Sequence, residues 1–315
     1  MDRNNTAPTT TSPTTTAPRP GRRAVLALGA GAALAAAVPT SAHASTTGGT
    51  GLSRQLGDLE RQYGARLGVF AHDTATGRSV AHRADEVFPM CSVFKALAAA
   101  AVLRDLDRDG EFLARRVYYT KEYVTAAGYA PVTGTDENVA GGLTVEELCA
   151  AAVSQSDNGA GNLLLRELGG PTAITRFSRS LGDRTTRLDR WEPELNTAEP
   201  WRETDITSPR AIGKTYARLV IGGALAPEDR ARLTGWLIAN TTNTARFRAG
   251  LPGWTLADKT GGGAAYGVAN DVGVVWPPGR PPVVLAVLST KYAPEGPTDN
   301  PLVARAAELV AAELT

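Results

Sequence analysis

Histidine is nearly missing from this chain. Three of its 315 residues are histidine, and beyond residue 45 only His72 and His82 remain, with no His-x-His and no His-Glu-x-x-His spacing. That scarcity argues against a histidine-built metal centre and disfavours a Ser-His-Asp triad, which turns the search for a hydrolytic base to lysine and glutamate. Cysteine is equally sparse. Cys91 and Cys149 alone cannot make a disulfide framework and are expected as two separate buried thiols. Lysine is confined to Lys95, Lys121, Lys214, Lys259 and Lys291. No charge of one sign prevails: 33 basic residues face 32 acidic ones, with no long like-charge run. Nothing therefore points to nucleic acid or an anionic membrane surface as partner.

The composition that remains, 43% hydrophobic and 21% charged, is that of a globular protein with core enough for two lobes. Residues 1–45 read differently. Thr6 to Pro20 is a Pro/Thr-rich tract, followed by Gly21-Arg22-Arg23, an apolar Ala/Leu/Gly run from Ala24 to Val38, and the small-residue cleavage pattern Ala42-His43-Ala44. The order is that of an export signal, and the arginine pair ahead of a mild apolar run resembles the twin-arginine type. The run is too short and too rich in glycine and alanine for a stable membrane span. A mature protein beginning near Ser45, secreted and without stable membrane association, is expected.

Leu52, Leu56, Leu59 and Tyr63 keep helical spacing and predict one amphipathic helix. Arg66 to Ala71 and Ser79 to His82 read as a hairpin. From Thr144 to Gly182 the pattern is helical, opened by the capping box Thr144-Val-Glu-Glu147, stopped at Gly169-Gly170 and restarted with Pro171 in a first turn. Two more helices fit Pro209 to Ile221 and Pro227 to Ala239. Between Leu188 and Thr207 lies a polar segment without periodicity, and a loop of that length inside a compact domain is usually functional. The chain returns to strands at Trp254 to Lys259, Asp271 to Trp276 and Val283 to Thr290, then closes with a helix from Asn300 that carries Leu302, Ala306, Leu309 and Val310 on one side. The predicted class is α+β. An antiparallel sheet flanked by the N- and C-terminal helices forms one lobe from residues 46–86 and 238–315. An all-helical lobe, 87–237, is inserted, and the site lies in the cleft between the two.

The stretch Pro89-Met-Cys-Ser-Val-Phe-Lys95 opens an apolar run through Leu103 with no polar stripe before Arg104, which reads as a helix buried on every side. Ser92 and Lys95 are one turn apart and project from one face. A weak hydroxyl, an adjacent amine and the unpaired N–H groups of a helix start are what nucleophilic catalysis requires. Alone, a Ser-x-x-Lys spacing is weak. Ser156-Asp157-Asn158 follows at a helix break, however, and Lys259-Thr260-Gly261 at the end of a strand.

Together, in this order, these are the Ser-x-x-Lys, Ser-Asp-Asn and Lys-Thr-Gly motifs of class A β-lactamases and penicillin-binding proteins. The mature chain resembles class A serine β-lactamases along almost its entire length. The likeness is densest at Arg190-Trp-Glu192-Pro-Glu-Leu-Asn196, which matches the family's Ω-loop, here residues 187–205. The resemblance implies that Ser92 opens a β-lactam ring to an acyl-enzyme, with Lys95 or Glu192 as the base for that step. It implies that Glu192 deacylates by activating a water held with Asn196. The N–H groups of Ser92 and Gly262 would form the oxyanion hole, and Ser156 would return a proton to the ring nitrogen. Asn158 would take the substrate's amide, Lys259, Thr260 and Gly261 its carboxylate end, and Tyr129 would line the entrance. No cofactor or metal is implied, and a monomer acting on small-molecule β-lactam antibiotics, penicillins and cephalosporins among them, is expected.

Two departures bear on the reading. Where many members carry a carboxylate-binding arginine after Lys-Thr-Gly, this chain has Ala264-Ala-Tyr-Gly-Val-Ala269; Arg246 matches the alternative position, while Arg248 has the look of a structural residue. Cys149 matches a cysteine often bridged in the family, but its partner position is Ala99, so a free thiol is expected. Asp157 reads as a hydrogen-bonding brace, Glu194 as structural, and Arg190 with Asp205 as an ion pair closing the Ω-loop. A cell-wall D,D-peptidase would lack Glu192. A non-catalytic β-lactam receptor would carry a membrane tether.

Overall fold

The computed structural model describes residues 48–263 and 265–315; the export signal read at 1–45 lies outside them. Helix α1 (Gly48–Tyr63) buries Leu52, Leu56 and Leu59, with Tyr63 half-buried at its end. The hairpin follows as β1 (Arg66–Asp73) and β2 (Ser79–His82), with Val69 opposite His82. The buried helix α2 (Phe94–Ala101) ends in a wider π turn, Val102–Leu106. The helical part continues with α3 (Val145–Ser154), α4 (Asn158–Glu167), α5 (Thr172–Ser180), α6 (Pro209–Val220) and α7 (Pro227–Ile238). Strands β3 (Thr255–Gly262), β4 (Ala269–Trp276) and β5 (Val283–Thr290) precede the terminal helix α8 (Asn300–Leu314). The five strands form one antiparallel sheet in the order β2-β1-β5-β4-β3.

Apart from its edge strand β2, the sheet is buried on both faces, and its period-2 alternation divides the core. On β5, Val283, Leu285 and Val287 pack with α1 and α8, whereas Ala286 and Leu288 join the larger cluster around α2. Every residue of α2 is buried because other helices surround it. Filling both sides of Leu97 and Phe94, each fully out of solvent, stabilises by about 1.5–3 kcal/mol per side chain.

Several expectations shift by a residue or two. Strand β3 continues past Lys259 to Gly262, so Lys-Thr-Gly lies within a strand whose outer edge is free for the cleft. Pro171 stands just before α5 rather than in its first turn. The segment 111–143 holds three short helices, Glu111–Ala114, Lys121–Ala126 and Asp136–Gly141. The latter two are capped by Thr120 and Thr135, whose hydroxyls accept from Tyr123 and Asn138 N–H. The capping box at Thr144 and Glu147 is present as read.

The Ω-loop is closed at its base by paired backbone bonds between Arg187 and Ile206. Asp205, itself buried, accepts from Arg190 Nε at 2.6 Å and from the N–H groups of Asp189 and Arg190 at 2.8 and 3.0 Å. Its own carbonyl accepts from Met90 N–H at 2.8 Å, tying the loop to the segment before Ser92. Asp205→Ala strands two inward N–H groups and a guanidinium. It is expected to cost at least about 2 kcal/mol in urea unfolding, and an unchanged midpoint would show that the clasp carries no load.

Candidate active site

Ser92 lies in the 3₁₀ turn Cys91–Val93 that leads into α2. Two side chains from elsewhere hold this turn and the residues before it by their carbonyls: Asn270 donates to Pro89 and Met90, and the buried Tyr216 hydroxyl donates to Val93 at 2.9 Å. Cys91 adopts φ +47°, a conformation that costs a non-glycine residue energy and that surrounding structure must impose. Strand β3 passes so close that a Cβ on Gly261 would stand 2.9 Å from Met90 O. That approach is why the third residue of Lys-Thr-Gly is glycine.

Lys95 is fully buried. Its Nζ lies 2.9 Å from Ser92 Oγ, 2.8 Å from the Ser156 carbonyl, 2.6 Å from Asn158 Oδ1 and 3.0 Å from Glu192 Oε1. Room for the lysine comes from Gly161, where a Cβ would meet Lys95 Cε at 3.0 Å. An ammonium fills these acceptors; a neutral amine in the same place can take the hydroxyl proton of Ser92. Glu192 is 3% exposed, and its Oε1 also accepts from Ser92 Oγ at 3.3 Å. The hydroxyl thus touches two groups able to serve as base.

Glu192 is gripped from behind. Asn162 donates to its carbonyl and accepts from its N–H, both at 2.9 Å, and Asn196 Nδ2 donates to Oε2. Asn196 Oδ1 is buried and receives no donor among the described residues. Asn162 had no place in the sequence reading. Its signal was a lone polar residue four positions after Asn158, on the same face of α4 and ahead of three leucines. The Glu192-Pro193 bond is cis.

Ser156, at φ +59° in the break between α3 and α4, accepts at Oγ from Lys259 Nζ at 2.9 Å. Asp157 is the brace expected of it, accepting from Val132, Thr133 and Ala160 N–H and from the Thr133 hydroxyl. Asn158 spends both ends of its amide inside the protein, on Lys95 and on the Ala127 carbonyl. Lys259 is fully buried and also donates to Thr260 O. It therefore stands behind Ser156 and Thr260, and its charge acts through them. Burial holds its amine well below the ordinary lysine range, and Lys95 pushes the same way.

These groups meet at a cavity of about 700 Å³. Ser92, Ser156, Asn158 and Asn196 line it with Thr260 and Gly262, and Tyr129, 58% exposed, stands at its rim. Arg246 reaches the same wall, donating to the Gly261 and Asn270 carbonyls at 2.7 and 2.6 Å and to Asn300 Oδ1 at 2.7 Å. Burial lowers its guanidinium pKa. Arg248 is outside the cavity and donates to Trp254 O. Cys91 and Cys149 are free and buried, and burial pushes both thiols up, away from thiolate. No helix among the described residues is long and apolar enough to cross a membrane.

The "Beta-lactamase enzyme family" model matches residues 51–314. A β-lactamase of Kitasatospora aureofaciens is 67% identical over 304 residues, spanning 94% of this chain and 98% of that protein. The solved β-lactamase from Streptomyces albus G superposes with TM-score 0.83 at 63% identity, covering 84% of this chain and all of that one. A solved ancestral class A β-lactamase gives TM-score 0.78 at 51% identity, over 83% and 99% of the two chains.

Proposed function

Because the chain belongs to the class A β-lactamase family, and so is a hydrolase of β-lactams that serves antibiotic resistance, we propose that it opens the ring by a two-step cycle on Ser92. The supporting observation is that one buried hydroxyl lies within hydrogen-bond reach of both the Lys95 amine and the Glu192 carboxyl.

In the first step Ser92 Oγ attacks the lactam carbonyl carbon, and its proton passes to neutral Lys95 or to Glu192. The carbonyl oxygen, now negative, is received by the N–H groups of Ser92 and Gly262, an interaction of the kind worth about 10²–10³ in turnover. The C–N bond breaks as Ser156 Oγ protonates the ring nitrogen and is reprotonated by the proton taken from Ser92, so that Ser156 and the base both end the step as they began it; the hydrogen bond from Lys259 favours the transient alkoxide. In the second step Glu192 removes a proton from a water shared with Asn196. The hydroxide attacks the ester, and Ser92 recovers its proton. Asn158 and Tyr129 position the acylamino side, while Thr260, Gly261 and Arg246 receive the substrate carboxylate with the Lys259 charge behind them.

Mixing the protein with excess penicillin is the test. Repeated ring opening with no lasting adduct is expected; a single stoichiometric, stable adduct would make it a receptor or a trapped peptidase. Arg246→Ala is expected to raise KM for carboxylate-bearing penicillins about tenfold with little change in kcat, the pattern of lost uniform binding. Unchanged kinetics would return the carboxylate to another residue. Penicillins and cephalosporins are the proposed substrates, as a monomer exported through the twin-arginine route. Replacing Arg22 and Arg23 by lysine should retain activity inside the cell, and undiminished release would refute that route.

A further inference from the structure

Behind the cavity wall, on adjacent strands, sit two carboxyl groups that the cycle above does not use. Asp258 on β3 and Asp271 on β4 are both fully buried and sit two register positions apart on paired strands, Asp271 opposite Thr260, where each shifts the other's pKa. Gly273 stands across from Asp258, where any Cβ would come within 2.7 Å of the Asp258 Cα and Cβ. Two carboxylates cannot both ionise in contact and out of water, so such a pair keeps a proton.

The surroundings say which member keeps it. Asp258 accepts three amide N–H bonds: Asn240 Nδ2 to Oδ2 at 3.0 Å, and Asn243 Nδ2 to Oδ1 and Oδ2 at 2.8 and 3.0 Å. Those are the contacts of an ionised group. Among the described residues Asp271 accepts only Phe247 N–H, at Oδ2 and 3.1 Å, while its Oδ1 is buried and receives no donor from them. An oxygen that accepts nothing and faces a carboxylate is the place for the proton. Burial raises the pKa of both groups, and the neighbouring Asp258 raises that of Asp271 as well.

The charge balance of the wall points the same way. The site's ion pairs are Lys95 with Glu192 and Arg190 with Asp205. Among the described residues Lys259 and Arg246 have none, and the Asp258–Asp271 pair is an acidic group close enough to favour the cationic form of each. The other titratable groups facing the pair are Tyr216 from α6 and Arg248. Phe247, whose N–H binds Asp271, directly follows Arg246, so the pair also fixes the backbone that carries the guanidinium.

We propose that Asp258 and Asp271 are positioning residues that share one proton, carried on Asp271 Oδ1, and that the single negative charge left on Asp258 is the buried counter-charge keeping Lys259 and Arg246 cationic at the substrate-carboxylate wall. The role assigned to the wall rests on the function proposed above; the location of the proton does not.

Difference infrared spectroscopy of the whole protein at neutral pH reads the proton directly. A C=O band of a buried carboxylic acid is expected in the parent and is expected to vanish in Asp271→Asn. Its absence from the parent, or its survival in that variant, overturns the assignment whatever the enzyme turns over. Melting temperatures give a second reading. Asp271→Asn keeps a donor toward Asp258 and should melt near the parent. Asp258→Asn sets an amide against the amides of Asn240 and Asn243 and should lose on the order of 5 °C or more, and equal losses would refute the asymmetry. The double variant Asp258→Asn/Asp271→Asn removes the counter-charge. Lysine then deprotonates earlier, so the alkaline limb of kcat/KM for a penicillin should move down by about one pH unit, with KM up about tenfold. An alkaline limb at the parental pH would show that the pair is merely structural.

Discussion

Ser92→Ala is expected to reduce penicillin turnover by at least about 10⁴-fold and to leave no covalent adduct on the protein by intact mass. The size follows from what is lost and what is kept. The substitution removes one oxygen from a turn held by Asn270 and Tyr216, neither of which touches the hydroxyl, so the fold and the cavity should persist. Lys95 loses one of its neighbours but keeps Asn158 and the Ser156 carbonyl. Substrate should therefore still bind, and the missing piece is the bond-forming atom alone. Turnover within tenfold of the parent would mean that the attacking group is something else, with Cys91 next in sequence but buried and held as a thiol.

Glu192→Ala is expected to separate the two halves of the cycle. Deacylation should fall by about 10²–10⁴, the usual worth of a positioned general base, so that a penicilloyl adduct accumulates to one equivalent. The rate of the burst that precedes it carries further information. If Lys95 serves as base for the first step, the burst stays fast, because the amine remains 2.9 Å from Ser92 Oγ. If Glu192 serves, through its 3.3 Å contact, the burst slows together with hydrolysis. Deacylation at the parental rate would remove Glu192 from the second step.

How far the sequence could be read depended on whether a residue's partners were near it along the chain. Caps, hairpins and amphipathic faces are local, and the Thr144 capping box, the β1–β2 hairpin and the leucine face of α1 are found where periodicity put them. The buried helix at Ser92 was legible for the same reason, since a run without a polar stripe has nowhere to face water. Illegible were the short helices between Glu111 and Gly141, too brief for a period to emerge. So were side chains whose role is defined by a distant neighbour: Asn162 beneath Glu192, Tyr216 under Val93, and Asp258 against Asp271. Lys259 is the instructive intermediate. Its motif was plain, yet only the packing reveals that the amine stands behind Ser156 and Thr260 instead of in the opening. Motifs name the participants; distances across 100 residues of chain, as between Ser92 and Glu192, decide what each can reach.

The sheet has a consequence for how such a protein can change. Its two hydrophobic clusters are fastened to opposite sides of the same five strands, and the crevice runs along the seam where one of them meets the outermost strand. Prying the crevice wider would have to slide a packed layer over that common slab, which close packing resists. Accommodation of bulkier drugs is therefore left to the rim, where the exposed Tyr129 can be exchanged without disturbing either layer.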